Sequence, residues 1–145
     1  MVIENALRKA RAGAALAAGS LPVIGVDTDV VCDGALVGKP DGPEDATERL
    51  RLLSGRTHEV LGGLALLAGG EELTEVVRTR VSFRRLSGAE IERYVASGEW
   101  RDRAGGYAVQ GLGSSLVESV EGDLSNVIGL PIPALSRMIA SLQNG

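Results

Sequence analysis

The sequence predicts a single α/β or α+β domain over residues 1–145, with a mixed β-sheet flanked by helices. Its 145 residues suit one domain, and 44% hydrophobic with 23% charged residues is typical of a globular chain. Segments with the apolar spacing of helices alternate with short apolar or alternating runs typical of strands. The connections between them are rich in the glycine, proline and aspartate that turns require.

The first helix is predicted over residues 2–18, with Gly19 expected to end it. Its apolar residues recur at spacings of three and four: Ile3, Leu7, Ala10, Ala14 and Ala17. Residues 22–26 are an uninterrupted apolar run, which predicts a strand buried on both faces. We expect this strand to end at residues 27–29, where the sequence turns to Asp-Thr-Asp.

A β-hairpin is predicted over residues 30–37, because Asp33-Gly34 is a favoured two-residue hairpin turn. A second helix follows, with Asp41 expected to cap its first turn and Ser54-Gly55 to stop it. Its inward-facing residues are expected to be Ala46, Leu50 and Leu53.

Two longer strands are predicted over residues 57–67 and 73–84. The second alternates apolar residues with arginine and serine, so one face is expected to be buried and the other wet. Ser87 and Glu90 form a capping box, which opens a third helix that Gly98 should end.

The last third of the chain is predicted to hold a glycine-rich loop, a strand and a helix. The loop covers residues 101–113, and the strand covers residues 116–120. The helix follows Pro131 and Pro133 and carries the apolar residues Leu135, Met138, Ile139 and Leu142.

Composition excludes several classes of protein. One cysteine allows no internal disulfide, and one cysteine with one histidine is too few for a structural zinc site. No apolar run reaches the ~18 residues of a membrane span, and no signal peptide is recognisable, so we expect a cytoplasmic protein that does not bind membranes. The net charge of −4 argues against nucleic acid as a partner.

Asp27 is the first candidate for chemistry, because ligand sites of α/β folds collect where strands end. The alternative is an aspartate that only caps a turn. With an ordinary pKa near ~4, a lone aspartate is a poor base for water. It becomes effective if it also holds a divalent cation that acidifies the water and neutralises phosphate.

Lys39 and Lys9 are the candidate cations. Lys39 stands between Gly38 and Pro40, a stiff context that fixes where its ammonium points. Lys9 is a polar position among small apolar residues on the first helix. For both residues, the alternative is a solvated surface lysine.

The segment from Arg103 to Gly113 is the fourth candidate. Its glycines permit close backbone approach and positive φ, and Gln110 offers both a donor and an acceptor to the edge of a base. The alternative is a purely structural loop.

The remaining candidates are weaker. His58 has no serine or cysteine partner for nucleophilic catalysis, and Cys32 is expected to be a small buried residue. The arginines 78, 80, 84 and 85 form a stripe best interpreted as a solvated strand face.

Five segments together resemble the Maf family of nucleoside triphosphate pyrophosphatases, also called septum formation inhibitor proteins. They are VIGVDTDVVCDGALVGKP (23–40), LSGRTHEV (53–60), TRVSFRRLSGAEIERYVASGEW (79–100), RAGGYAVQG (103–111) and VEGDLSNVIGLP (120–131). The resemblance implies a Maf/ITPase-like α/β fold with a twisted mixed sheet, commonly dimeric. It also implies hydrolysis of the α–β phosphoanhydride to a monophosphate and pyrophosphate, with Mg²⁺ or Mn²⁺.

The resemblance also implies roles for individual residues. Asp27 matches the acidic residue assigned as the family's proton acceptor, Lys39 matches the lysine of its Lys-Pro motif, and Lys9 matches a lysine on the preceding helix. Thr28 and Gln110 match positions linked to base choice. The segment GGYAVQG, with its glutamine, is similar to the branch that acts on dTTP and UTP.

Family members usually begin with a strand and a Ser-x-Ser-Pro-Arg-Arg loop, which this sequence does not contain. We therefore expect a domain shortened at its N-terminus and lacking the arginines that grip the triphosphate. Each lost charge-assisted hydrogen bond is worth ~1.5–3 kcal/mol. The alternative function is a catalytically weak relative that binds a nucleotide or a partner.

Overall fold

A five-stranded β-sheet with helices on both faces forms the centre of the molecule. The computed structural model describes residues 1–16 and 21–144. The strands are β1 (Val23–Cys32), β2 (Ala35–Leu36), β3 (Thr57–Ala68), β4 (Glu71–Phe83) and β5 (Val117–Glu121), in the order β2-β1-β3-β4-β5. The helices are α1 (Val2–Leu16), α2 (Pro43–Leu53), α3 (Gly88–Ser97), α4 (Leu124–Ile128) and α5 (Ile132–Asn144). The predicted α/β domain, a sheet flanked by helices, is confirmed.

The expectation of a mixed sheet is corrected, because every strand pair in the described residues is antiparallel. Tight turns join β1 to β2 and β3 to β4, and a two-residue connection can only reverse the chain. The return to β3 through α2 also brings that strand back antiparallel to β1, from Val23 opposite Leu67 to Val31 opposite Glu59.

The first strand is longer than its sequence indicates. We expected it to end at Asp27, but β1 runs through residues 27–29 into the hairpin as one ten-residue strand. The continuous ladder to β3 explains this, since it supplies backbone hydrogen bonds that outweigh the low strand propensity of aspartate. Burial on both faces is also wrong, because Ile24 is 43% exposed.

Helix α1 lies unusually close to the sheet, where it crosses one glycine of β1 and one glycine of β3. A Cβ atom at Gly25 would overlap the carbonyl oxygen of Ala6, and one at Gly63 would overlap the backbone of Val2. The helix side of the contact is equally small, since Ala6 and Ala10 are fully buried. This packing brings the polar face of α1 to the middle of β1.

The opposite face of the sheet carries the larger core. Its fully or almost fully buried residues include Leu50, Leu53, Val60, Val81 and Phe83. Helix α4, which the sequence did not predict, is attached there by Asn126, whose side-chain amide donates to the backbone oxygens of Val60 and Val77.

Several local predictions are confirmed in detail. Asp33 and Gly34 both have positive φ in the β1–β2 turn, and Ser87 and Glu90 form the reciprocal capping box of α3.

The prediction that Asp41 caps α2 is wrong. The N-cap residue is Gly42, and no side chain caps this helix. The predicted end of the first helix, at residues 17–19, lies outside the described residues. In the described residues, no helix combines the length and the apolar character that a membrane crossing requires.

Candidate active site

A cleft of about 330 Å³ opens along β1, and all five sequence-predicted site residues line it. They are Lys9, Asp27, Thr28, Lys39 and Gln110. They come from α1, β1, the loop after β2 and the glycine-rich loop. The fold therefore brings together residues that are far apart in sequence, at the edge of the sheet where α1 and the glycine-rich loop meet β1.

Asp27 lies on the face of β1 that packs against α1, and two α1 side chains bind its carboxylate. Lys9 Nζ donates to Oδ1 at 2.8 Å and also to the Val26 carbonyl oxygen at 3.0 Å. Asn5 Nδ2 donates to Oδ2 at 3.2 Å. The carboxylate is thus held on both oxygens, and the Asp27 side chain is only 16% exposed against 51% for Lys9.

Partial burial by itself raises the pKa of Asp27. The hydrogen bonds from Lys9 and Asn5, together with the charges of Lys9 and Lys39, outweigh that effect and hold the pKa below its ordinary value. Asp27 is therefore an anion throughout the neutral range. Such a group orients water or holds a cation, because its low proton affinity makes it a weak base by itself.

Lys39 is exposed on the loop that follows β2, and the loop is fixed around it. The Gly38 carbonyl oxygen accepts from Arg49 Nε at 3.2 Å, and the Val37 carbonyl oxygen accepts from the Gly105 amide at 3.0 Å. The Lys39 ammonium lies close enough to lower the pKa of Asp27. The cleft lining carries three cations, Lys9, Lys39 and Arg103, against the carboxylates of Asp27 and Asp102, which leaves it with positive charge for an anionic ligand.

The glycine-rich loop forms a further wall of the cleft. Gly105 has a φ of 76°, and a Cβ there would press against Val30 at 3.1 Å. Tyr107 is buried, and its hydroxyl lies 2.6 Å from His58 Nε2 beneath the loop. Gln110 follows three residues later and is exposed at the cleft surface.

Some cleft residues were not found by the sequence analysis. Asn5 lies four residues before Lys9 on the same face of α1, a spacing that was a usable signal. Asp102 also lines the cleft, just before the loop segment predicted from Arg103. Its positive φ of 57° left no recognisable mark in the sequence.

The weaker candidates do not contribute to the cleft lining. His58 is buried between Tyr107 and Phe83. Cys32 is buried, as expected. In the arginine stripe, Arg78 pairs with Glu59 and Arg84 with Glu90.

The donor set of the cleft suits a metal ion that arrives with a phosphate ligand. The described residues contain no group of three or more His, Cys, Asp or Glu side chains placed to hold an ion. Mg²⁺ is commonly bound by one or two carboxylates together with substrate phosphates, so a complete protein cage is not needed. The Asp27 oxygens can accept further bonds beside those from Lys9 and Asn5, so Asp27 fits that role.

Comparison with known proteins gives a consistent family match. The sequence model of the family described as Maf-like protein matches residues 1–142. A dTTP/UTP pyrophosphatase of Shewanella denitrificans is 46% identical over 144 residues, which are 97% of this chain and 72% of that protein. One of Moorella thermoacetica is 48% identical over 137 residues, covering 93% of this chain and 70% of the relative. One of Pyrococcus furiosus is 43% identical over 139 residues, covering 94% and 73%.

Proposed function

Since this chain belongs to the Maf-like protein family, we propose that it is a nucleoside triphosphate pyrophosphatase that prefers dTTP and UTP. It hydrolyses the α–β phosphoanhydride and releases a nucleoside monophosphate and pyrophosphate. Relatives that are 43% to 48% identical over more than nine-tenths of the chain carry the name dTTP/UTP pyrophosphatase.

The observation that carries the proposal is the meeting of Asp27 with Lys9 and Lys39 in one cleft. Hydrolysis of an anhydride requires an acceptor that orients water and positive charge that stabilises the phosphates as charge develops. The ion pair of Lys9 with Asp27, 2.8 Å long, keeps the acceptor ionised. Lys39 makes no such bond to another described residue, so its ammonium is available to a phosphate in the cleft.

In the proposed mechanism, Asp27 accepts a hydrogen bond from the attacking water and directs it at the α-phosphorus. Lys9 fixes the carboxylate from the helix side, and Lys39 stabilises the negative charge of the departing pyrophosphate. A Mg²⁺ or Mn²⁺ ion bound with the nucleotide at Asp27 would neutralise phosphate charge and acidify water.

Base recognition is assigned to the cleft surface around Thr28 and Gln110. Thr28 lies next to Asp27 in β1, with its side chain on the opposite face of the strand. Gln110 offers an amide donor and an acceptor, which match the O4 and N3 edge of uracil and thymine. We further propose a homodimer in the cytoplasm.

The test is pyrophosphate release from dTTP, UTP, CTP and GTP in the presence of Mg²⁺ or Mn²⁺. We expect turnover of dTTP and UTP above the other nucleotides, and a loss of about 10²–10⁴-fold in Asp27→Asn, the range of a lost acid–base group. Asp29→Asn is the matched control, because it makes the same change two residues along β1 at a side chain outside the cleft lining.

Turnover without nucleotide preference would contradict the assigned substrate class. A folded chain that binds dTTP and releases no pyrophosphate would favour the alternative function, a nucleotide-binding or partner-binding module without catalysis.

A further inference from the structure

A carboxylate outside the cleft holds the segment that carries Gln110. Helix α3 ends at Ser97, and Gly98 adopts a left-handed conformation with a φ of 73°, which turns the chain back at Glu99. The amide of Glu99 donates to Ser97 Oγ at 3.2 Å, so this turn is fixed at its start. The side chain of Glu99 then reaches the glycine-rich loop.

Glu99 binds both sides of the loop, directly and through Tyr94. The amides of Leu112 and Gly113 donate to its carboxylate at 3.1 and 2.9 Å. The Tyr94 hydroxyl donates to the same carboxylate at 3.0 Å and accepts from the Ala108 amide at 3.0 Å. Gln110 stands between Ala108 and Leu112, so the backbone is held two residues before it and two residues after it.

The two glycines beyond Gln110 show how closely the carboxylate is seated. Gly111 has a φ of 65°, and a Cβ there would lie 2.7 Å from Glu99 Oε2. A Cβ at Gly113 would overlap the carbonyl oxygen of Ala108 and lie 3.1 Å from Glu99 Oε1. Gly111 and Gly113 are therefore required by the approach of Glu99 and by the closing of the loop on itself, independently of any contact with a ligand.

We propose that Glu99, acting through Tyr94 and the loop amides, is the positioning residue that fixes Gln110 for recognition of the base. The inference rests on the proposed function, because it takes Gln110 as a base-contacting residue. Glu99 itself is absent from the cleft lining, as is Tyr94. Both act on the nucleotide only through the backbone that presents Gln110.

The expected consequence is selective. Hydrogen bonds from amides to an ionised carboxylate are stronger than neutral ones, so their loss frees the loop without removing a core side chain. Asp27, Lys9 and Lys39 belong to other elements, and the bond from the glycine-rich loop to the segment before Lys39 is made by Gly105, outside the stretch from Ala108 to Gly113 that Glu99 and Tyr94 hold. Base discrimination should therefore fall more than affinity for the triphosphate.

The experiment measures binding of the α,β-methylene analogues of dTTP and dCTP by calorimetry with Mg²⁺, so no hydrolysis is needed. Glu99→Gln keeps the shape of the side chain and replaces one acceptor oxygen with an amide that opposes the loop amides. Tyr94→Phe removes only the relay hydroxyl and serves as the second variant. Glu92→Gln makes the matched change at an exposed position of α3.

We expect the preference for the dTTP analogue to fall about 10-fold in Glu99→Gln, which is equivalent to the loss of about one hydrogen bond. The preference should remain unchanged in Glu92→Gln. In a Gln110→Ala background, Glu99→Gln should cause no further loss of preference, because both changes act at the same contact. Hydrogen exchange should show faster exchange of the Leu112 and Gly113 amides in Glu99→Gln.

Two results separate the failure of this inference from the failure of the proposed function. A wild-type chain that binds neither analogue, or binds both equally, overturns the proposed function. A wild-type chain that prefers the dTTP analogue, with the same preference in Glu99→Gln and Tyr94→Phe, overturns the positioning role. Additive losses in the double variant with Gln110→Ala overturn it as well.

Discussion

Lys9 Nζ lies 2.8 Å from Asp27 Oδ1, although the two residues are 18 positions apart in the chain. The contact exists because α1 packs on bare glycine backbone, which brings its polar face down to the middle of β1. The same lysine donates to the carbonyl oxygen of Val26, so it is attached to the strand at two points. The position of the Asp27 carboxylate is therefore determined by the packing of α1 as much as by β1 itself.

Replacing Lys9 should shift the acidic limb of the pH–rate profile upward. Because Lys9 helps to hold the pKa of Asp27 below its ordinary value, Lys9→Met should raise that pKa, and activity should be lost at a higher pH as the solution is acidified. We also expect kcat/KM near neutral pH to fall about 10²-fold. The measurement is kcat/KM for dTTP between pH 3 and pH 8, a range that extends below the ordinary pKa of an aspartate.

The control for Lys9 is Arg8→Met, which removes a charge from the neighbouring, exposed position of α1. It should leave the acidic limb where it is in the wild type. An unchanged acidic limb in Lys9→Met would show that the ion pair does not govern the ionisation of the group that limits activity.

Replacing Gln110 should change nucleotide choice rather than the chemical step. Gln110 is exposed on the cleft wall, so Gln110→Ala leaves no buried group without a partner. We expect the ratio of kcat/KM for dTTP over CTP to fall about 10-fold, the equivalent of one hydrogen bond. Gln143→Ala, at an exposed position of α5, is the matched control, and equal ratios in the wild type and Gln110→Ala would remove Gln110 from base recognition.

His58 should make the protein less stable as the pH falls from 6.5 towards 4. Burial lowers the pKa of His58 to about 4, while the imidazole of the unfolded chain keeps its ordinary pKa of 6.5. Between these values the unfolded state binds more protons than the folded state, so acidification favours unfolding. The full effect is on the order of 3 kcal/mol and is complete below pH 4.

The sequence contains one histidine, so its NMR titration is free of overlap from other imidazoles. We expect the folded imidazole to stay neutral down to about pH 5, with denaturant unfolding showing the parallel loss of stability. In His58→Gln, the part of the pH dependence due to this residue should be gone. An imidazole that titrates near 6.5 in the folded protein would contradict the buried, neutral state.

Gly25→Ala should be among the most destabilising single substitutions. Its Cβ would overlap the carbonyl oxygen of Ala6, so α1 must move away from the sheet. We expect a loss on the order of 3 kcal/mol in the free energy of unfolding, measured by urea denaturation. Gly88→Ala, where nothing lies within 4 Å of the new Cβ, should change it by less than about 1 kcal/mol. Equal effects of both substitutions would contradict the close packing of α1.

The sequence predicted most elements because their signals are local. The Ser87 to Glu90 capping box, the Asp33-Gly34 turn and the alternation along β4 each depend on neighbours within a few positions. The course of β1 through Asp27 depends instead on pairing with β3, more than thirty residues later, which no local pattern contains. Helix α4 is five residues long, too short for a periodic signal.

The same distinction applies to the cleft. Asp27, Lys39 and Gln110 were found from their local context and from the family resemblance, and they do meet in one cleft. Glu99 was not found, because its significance lies in hydrogen bonds to the backbone of Leu112 and Gly113. Every residue except proline has a backbone N–H donor, so the sequence holds no sign of which of these donors a given carboxylate will bind.

The most direct test of the account is where the oxygen of water goes when dTTP is hydrolysed in ¹⁸O-labelled water. Attack at the α-phosphorus in the cleft around Asp27 predicts that the label enters dTMP and that pyrophosphate is unlabelled. Asp27→Asn should slow this labelling by about 10²–10⁴-fold, and Asp29→Asn should retain it at the wild-type rate. Label in pyrophosphate, or labelling of dTMP at the wild-type rate in Asp27→Asn, would contradict the assignment of this cleft as the active site.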